Sequence, residues 1–374
     1  MLPKSAKVIS VDDHIVEHPH VWSDRLPAAM QDAGPRVVYN DQGVQQWLFE
    51  GAPAGNLALN AVAGKDPTEL GMDPVTFDEM RPGCFDPKVR LDDMDTDGVW
   101  GQANFPNFPG FAGTVLSLAK DKALAVECVK AYNDFVLDEW CPAAPDRFIP
   151  IVLTPFWDVE ESAKEVRRTA AKGARAISFV ETPHTLGLPS WHSDHWDPLL
   201  AEAEAAEMPL CLHFGSGGAP TVAADANLVV LIALFGMNSI ATTVDLLLSP
   251  VFHKFPSLKV ALSEGGIGWM PYAIERVDSS WERHRWYNDV NRDVRPSELF
   301  AEHIFGCFIQ DEAGIEARHR IGVGNIMFES DYPHSDSMWP NSRARLEASL
   351  ASVPDDEAVM IAETNARRLF RFPA

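Results

Sequence analysis

Cysteine is scarce and scattered. The chain has five in 374 residues, Cys84, Cys128, Cys141, Cys211 and Cys307, and no two form a C-x-x-C pair. Such spacing excludes a disulfide framework and a structural zinc knuckle, and leaves five reduced thiols, mostly in the core. Basic residues are also short, 31 Lys and Arg against 54 Asp and Glu, for a net charge of −23. A surface that tracks phosphates needs a basic patch, so nucleic acid is excluded as a partner. The same charge argues against anionic membranes. No run approaches the ~18 apolar residues of a membrane span, and Met1–Lys7 carries no leader-like apolar stretch. The reading is a soluble cytoplasmic protein. Internal repeats and low-complexity tracts are missing. So is a G-x-G-x-x-G after the first strand, which weakens a dinucleotide-binding fold.

What is present is 46% apolar content in a repeating pattern. Short β-branched runs stand at Lys7–Val11, Val99–Phe105, Phe148–Leu153, Ala174–Val180, Pro209–Phe214, Leu258–Ser263, Ile304–Ile309 and Ile326–Glu329. Helix-length segments lie between them: Ala119–Glu139 and Pro271–Arg285 with three- and four-residue apolar spacing, and Val159–Ala171 with an acidic first turn. Eight strands alternating with helices predict an α/β fold, a (β/α)8 barrel in one domain over 1–374. Residues 35–87, rich in Gly, Pro, Asn and Asp, break the rhythm. With Trp47, Phe49, Met72 and Phe77 they read as a small ordered insertion over the barrel mouth, with one strand-like piece at Gln45–Phe49. Asp356–Phe372 reads as a helix pair on the outside of the barrel.

In such a barrel the reacting groups follow the C-terminal ends of the strands. Asp12, His14 and Glu17 follow the first, His213 the fifth, Glu264 the sixth and Asp331 the eighth. A single acid or histidine there is commonly a turn or cap residue. Four strand ends that each offer a ligand-type side chain point instead to a metal. Asp12 and His14, two apart on an extended segment, project to the same side. His334 and Asp336 enter the mouth as either outer partners of the ligands or loop residues. His18 and His20 compete with Glu17, and His192 and His195 occupy the rim. The aromatic loop 104–111, with Phe105, Phe108 and Phe111, forms together with Trp191 and Trp339 either an apolar substrate wall, joined by His192, or ordinary packing. Arg283-His284-Arg285 and Arg318-His319-Arg320 are local basic clusters that could meet coenzyme A phosphates, but both read as solvated helix faces.

The sequence of motifs carries a resemblance. Val8-Ile9-Ser10-Val11-Asp12-Asp13-His14, Pro209-Leu210-Cys211-Leu212-His213, Phe255-Pro256-Ser257-Leu258-Lys259-Val260 leading to Glu264-Gly265-Gly266, Ser330-Asp331-Tyr332-Pro333 and Asn365-Ala366-Arg367-Arg368-Leu369-Phe370 together resemble the amidohydrolase-2 branch. That branch includes aminocarboxymuconate-semialdehyde decarboxylase-like enzymes, and the resemblance implies an amidohydrolase-like TIM barrel with a metal site. Its zinc members typically begin with His-x-His and carry His where this chain has Glu264. Asp12, His14, Glu17, His213, Glu264 and Asp331 would then hold two ions, and four carboxylates favour iron over zinc.

The narrower pattern Asp-x-His-x-x-Glu is similar to the TIM-barrel nonheme diiron monooxygenases of platensimycin and platencin biosynthesis. That similarity implies hydroxylation of an unactivated C–H in an apolar diterpenoid, free or as a coenzyme A thioester. It also implies O2 as co-substrate, two iron ions, a reductase or other external electron donor, and Asp331 and His334 as the catalytic pair. A homodimer is compatible with it. The rival reading is a zinc or manganese hydrolase or non-oxidative decarboxylase, with Asp331 as general base. A catalytically silent binding barrel would leave the converging acids unexplained.

Overall fold

In the computed structural model, residues 2–55, 57–71 and 76–373 are described; Met72 lies outside them. The main sheet is parallel and contains β1 (Val8–Ile15), β5 (Val99–Pro106), β6 (Phe148–Ile149), β7 (Ile151–Leu153), β8 (Ala176–Phe179), β9 (Leu210–His213), β10 (Val260–Ser263), β11 (Ile304–Phe308) and β12 (Ile326–Phe328). Their order is β6-β5-β1-β12-β11-β10-β9-β8-β7. Pro150 lacks an amide proton and separates β6 from β7, so these two are halves of one strand. Joining them closes the sheet into the predicted eight-unit barrel.

Every expected barrel strand is present. The first runs four residues further than the expected Val11, to Ile15, so Asp12 and His14 sit within β1 rather than after it. Parallel strands buried on both faces read as continuous apolar runs, and the acids that follow Val11 hid that continuation. The barrel interior is filled by Ile9, Val11, Ala103, Ile149, Ala261, Phe305 and Met327. Ala366, Leu369, Phe370 and Phe372 pack into that same cluster. The C-terminal segment is therefore corrected from an external helix pair to one helical run, Asp355–Leu369, whose tail plugs the N-terminal end of the barrel.

The insertion contains a three-stranded antiparallel sheet, β2 (Arg36–Tyr39), β3 (Gln45–Phe49) and β4 (Ala52–Pro53), rather than a single strand. Trp47 anchors it. Its ring lies 4.3 Å from Phe108 and 5.3 Å from Trp22, and its Nε1 donates to the Leu57 carbonyl. Each such aromatic contact contributes about 0.5–1.5 kcal/mol beyond its buried area. Val62 and Ala63 amides both donate to the Pro333 carbonyl, which ties the insertion to the loop after β12.

One expected absence is corrected as well. The helical stretch Leu228–Leu248 is long and apolar enough to cross a membrane by length and composition. Its interruptions, Asn238, Ser239, Thr242, Thr243 and the single charged Asp245, hid the run. Here Phe235–Leu248 is the crossover helix between β9 and β10. It buries Ser239, Thr242, Thr243, Leu246 and Leu247 and packs against the helices Met270–His284 and Pro296–His303.

Candidate metal centre

A bulge in β1 sets the site. The register against β5 slips between Ser10 and Asp13, so Asp12 and His14 turn into the barrel mouth above the interior Ile9 and Val11, whereas Asp13 turns the other way. His213 closes β9. Its Nδ1 donates to the Phe214 carbonyl at 2.7 Å, so its Nε2 presents a bare lone pair. Glu264 and Asp331 stand one and three residues past their strands, with φ of +56° and +52°. Left-handed backbone at non-glycine residues costs about 1–3 kcal/mol each and clusters at functional sites. Both turns swing a carboxylate back across the barrel axis.

The nitrogen and oxygen atoms then converge. His14 Nε2 lies 3.2 Å from Asp331 Oδ1, 3.5 Å from Asp12 Oδ1 and 4.0 Å from Glu264 Oε1. His213 Nε2 lies 3.4 Å from His14 Nε2, 3.6 Å from Asp12 Oδ2 and 3.9 Å from Glu264 Oε1. Most of these separations are too long for good hydrogen bonds. Ligands each about 2.1 Å from one ion stand roughly 3.0–3.5 Å apart, close to the shorter of them. Among the described residues, both oxygens of fully buried Asp12 accept no hydrogen bond, and Asp331 Oδ1 faces only histidine rings, His334 at 2.8 Å and His14 at 3.2 Å. Leaving a buried carboxylate bare costs several kcal/mol, and a cation at this point removes that cost.

Charge follows from the same crowding. Burial, then the neighbouring Glu329, Glu264 and Asp331, pushes Asp12 well above the usual carboxylate range. Burial raises Glu329 to about 8 and lowers His213 to about 3, so the imidazole is neutral and able to ligate. His334 goes the other way. Burial works to lower it, but the carboxylates of Asp331 and Glu264 win and hold it near 10. Its Nδ1 lies 2.8 Å from Asp331 Oδ1, and its Nε2 is buried without a protein partner among the described residues.

The structure thus brings together Asp12, His14, His213, Glu264, Asp331 and His334. It does not bring Glu17 to them. Both Glu17 oxygens accept backbone amides, from Asn107 at 2.9 Å and Phe108 at 2.8 Å, so this carboxylate fixes the loop after β5. Of the expected substrate wall, Phe105 lies 5.0 Å from the His213 ring. Phe108 packs on Trp47, and Trp191 is core beside Phe179 and Trp196. Trp339 lies under Arg81, and His192 pairs with Asp245 at 2.7 Å on the surface. His18 and His20 contact each other, with His20 on Glu139, and His195 packs on Trp196. Arg318 and His319 are held by Glu357, Arg320 contacts Glu275, and Arg285 covers Trp281. Asp336 lines a cavity of about 420 Å³ with Glu264 and Glu329, and burial raises it to about 6.

Sequence reasoning missed three groups. Glu329 shares the phase of Asp331, the same two-residue spacing that singled out Asp12 and His14. Phe111, by contrast, belongs to the aromatic loop expected as a wall, and it stacks on His213 with ring centroids 3.8 Å apart. Asp13 accepts from the Ser330 hydroxyl and the Tyr332 amide, and Arg90 donates to the His14 carbonyl at 2.6 Å. These hold the backbone of β1 that carries Asp12 and His14, and the segment after β12, in register.

A family profile described as Amidohydrolase matches residues 15–372. The chain belongs to the amidohydrolase family. Among curated relatives it is 26% identical over 312 residues to a gamma-resorcylate decarboxylase of Rhizobium sp. (strain MTP-10005), covering 76% of this chain and 86% of that one. Among solved amidohydrolase folds, one from Mycobacterium avium subsp. paratuberculosis superposes with a TM-score of 0.75 at 19% identity, covering 98% of this chain and 99% of that one. A dihydroxybenzoic acid decarboxylase from Polaromonas sp., described with bound manganese and the inhibitor 2-nitroresorcinol, gives 0.65 at 19%, covering 98% and 97%.

These findings correct the expected oxygenase. The matching curated relatives are decarboxylases, not O2-dependent hydroxylases, so two irons, O2 and an electron donor are withdrawn. The inference to two ions had leaned on Glu17 as a sixth ligand, and its oxygens are spent on amides.

Proposed function

We propose that this protein is a divalent-metal-dependent, non-oxidative decarboxylase acting on a small aromatic carboxylic acid activated by a ring hydroxyl. The observation that carries this reading is the bare, fully buried Asp12 carboxylate facing His14, His213 and Asp331. The decarboxylase relatives choose among the reactions such a centre supports.

Asp12, His14, His213 and Asp331 would hold the ion, with Glu264 at its edge, and manganese suits a donor set with this many hard oxygens. When bound, the ion supplies positive charge that grips the substrate's carboxylate and phenolate oxygens. The remaining chemistry is proton transfer. The ring carbon bearing the carboxylate takes a proton; the C–C bond then breaks, its electron pair returns to the ring and CO2 leaves. His334 is placed to deliver that proton. The flanking Asp331 and Glu264 keep it charged, and its Nε2 is not committed to the protein.

The test is turnover of gamma-resorcylate and related hydroxybenzoates by manganese-loaded protein under nitrogen. Release of one CO2 per decarboxylated product supports the reading. Turnover that requires O2, or CO2 release that is indifferent to chelation, sinks it.

A further inference from the structure

Beside the metal centre lies a second space of different character, about 250 Å³ in volume. Leu57 and Leu59 of the insertion, Phe108, Val115 and the backbone at Gly215 bound it. Its inner wall is Phe111, half-buried, with one ring face stacked on His213 and its centroid 5.2 Å from that of His14. Two left-handed glycines, Gly110 and Gly113, place this ring, and the Ser178 hydroxyl pins its carbonyl. Gly215 leaves the edge of that ring without a side chain against it. A Cβ there would already stand 3.8 Å from the Phe111 ring, and its φ of +82° disfavours any larger residue.

The contrast with the mouth is one of polarity. The 420 Å³ cavity on the other side of the centre is lined by Glu264, Glu329 and Asp336. The Phe111 side offers side-chain polarity from Asn107 and Thr114, and Asn107 spends its amide on the Ala58 carbonyl. A molecule held at His14 and His213 thus has carboxylates on one flank and hydrocarbon on the other, one ring's thickness away. Apolar space with few convergent polar groups is where ligand selectivity by burial arises.

We infer that this cavity is a substrate subsite taking an apolar substituent of the carboxylate-bearing ring, with Phe111 as the partition between head and tail. The substrate class is then an alkyl- or aryl-extended aromatic acid rather than a compact one. This rests on the reading of the metal centre given above, and the experiment separates the two. Binding of salicylate and of its 4-hexyl and 5-hexyl derivatives to manganese-loaded protein is measured by calorimetry. At least one hexyl derivative binds 30-fold or more tighter than salicylate. Val115→Trp, which fills the cavity, removes that gain and leaves salicylate within about threefold. Equal affinities for all three ligands in the wild-type protein overturn the subsite whether or not the variant folds, as does an advantage that survives Val115→Trp. If no aromatic acid is decarboxylated but the hexyl advantage stands, the catalytic reading fails and the subsite remains.

Discussion

Removing the Asp13 carboxylate tests whether the metal centre is held by its backbone. The segment Glu329–Tyr332 is stitched to β1 by the Asp331 amide on the Asp12 carbonyl (2.9 Å), the His14 amide on the Tyr332 carbonyl (2.7 Å) and the Ser330 amide on Ser10 Oγ (2.8 Å). Asp13 Oδ1 adds the Ser330 hydroxyl and the Tyr332 amide, the latter at 3.1 Å. Leaving two buried donors unpaired costs about 1–3 kcal/mol each, so Asp13→Ala should destabilise the chain by about 2–6 kcal/mol. That sum matches or exceeds the ~1–3 kcal/mol stored in the left-handed Asp331, which persists only while its surroundings impose it. Once released, the Asp331 carboxylate drifts from His14, and manganese affinity should fall about 10–100-fold, the usual effect of losing a partner that orients a ligand. Asp13→Asn keeps Oδ1 and puts its NH2 where Oδ2 has no partner, so its affinity should stay within about threefold. The assay is manganese Kd by chelator competition beside urea unfolding. If Asp13→Ala loses stability but keeps the wild-type Kd, Asp13 is a folding residue and the argument fails.

Other perturbations have equally definite outcomes. His334→Asn should bind manganese within about threefold of wild type yet lose about 10²–10⁴ in kcat, the range for a missing proton donor; unchanged kcat would move the proton elsewhere. Chelation should abolish activity and lower Tm, with both restored by manganese, because an ion that binds only the folded chain at 100 times its Kd adds about 2.7 kcal/mol. Glu181 accepts from the Gly215 and Gly217 amides and Asn238, and burial raises it from 4.5 to about 7. The folded chain thus keeps a proton the unfolded chain releases; this stability is full below pH 4.5 and lost as pH rises through 7. Glu181→Gln mimics the protonated form, so its Tm should match wild type near pH 5 and exceed it at pH 8, by at most about 3 kcal/mol in stability. A gap independent of pH would show that the carboxyl is not shifted.

The sequence by itself determined the barrel. Apolar runs alternating with amphipathic helices have few closed solutions, and strand ends in that fold face one mouth, so Asp12, His14, His213, Glu264 and Asp331 could be named in advance. Histidine and carboxylate just past apolar runs are local signals, legible from residue type and from their place at the strand ends. The number of ions was not legible. Glu17 stands three residues from His14 in the sequence, and only the fold reveals that its oxygens reach the amides of Asn107 and Phe108 instead. Asp13 and Arg90 escaped for the same reason, since their partners lie far along the chain, at Ser330 and the His14 carbonyl. Which side chains could ligate was written in their chemistry. Which of them are free to do so depends on the hydrogen bonds they already make, and those exist only once distant strands and loops are packed together.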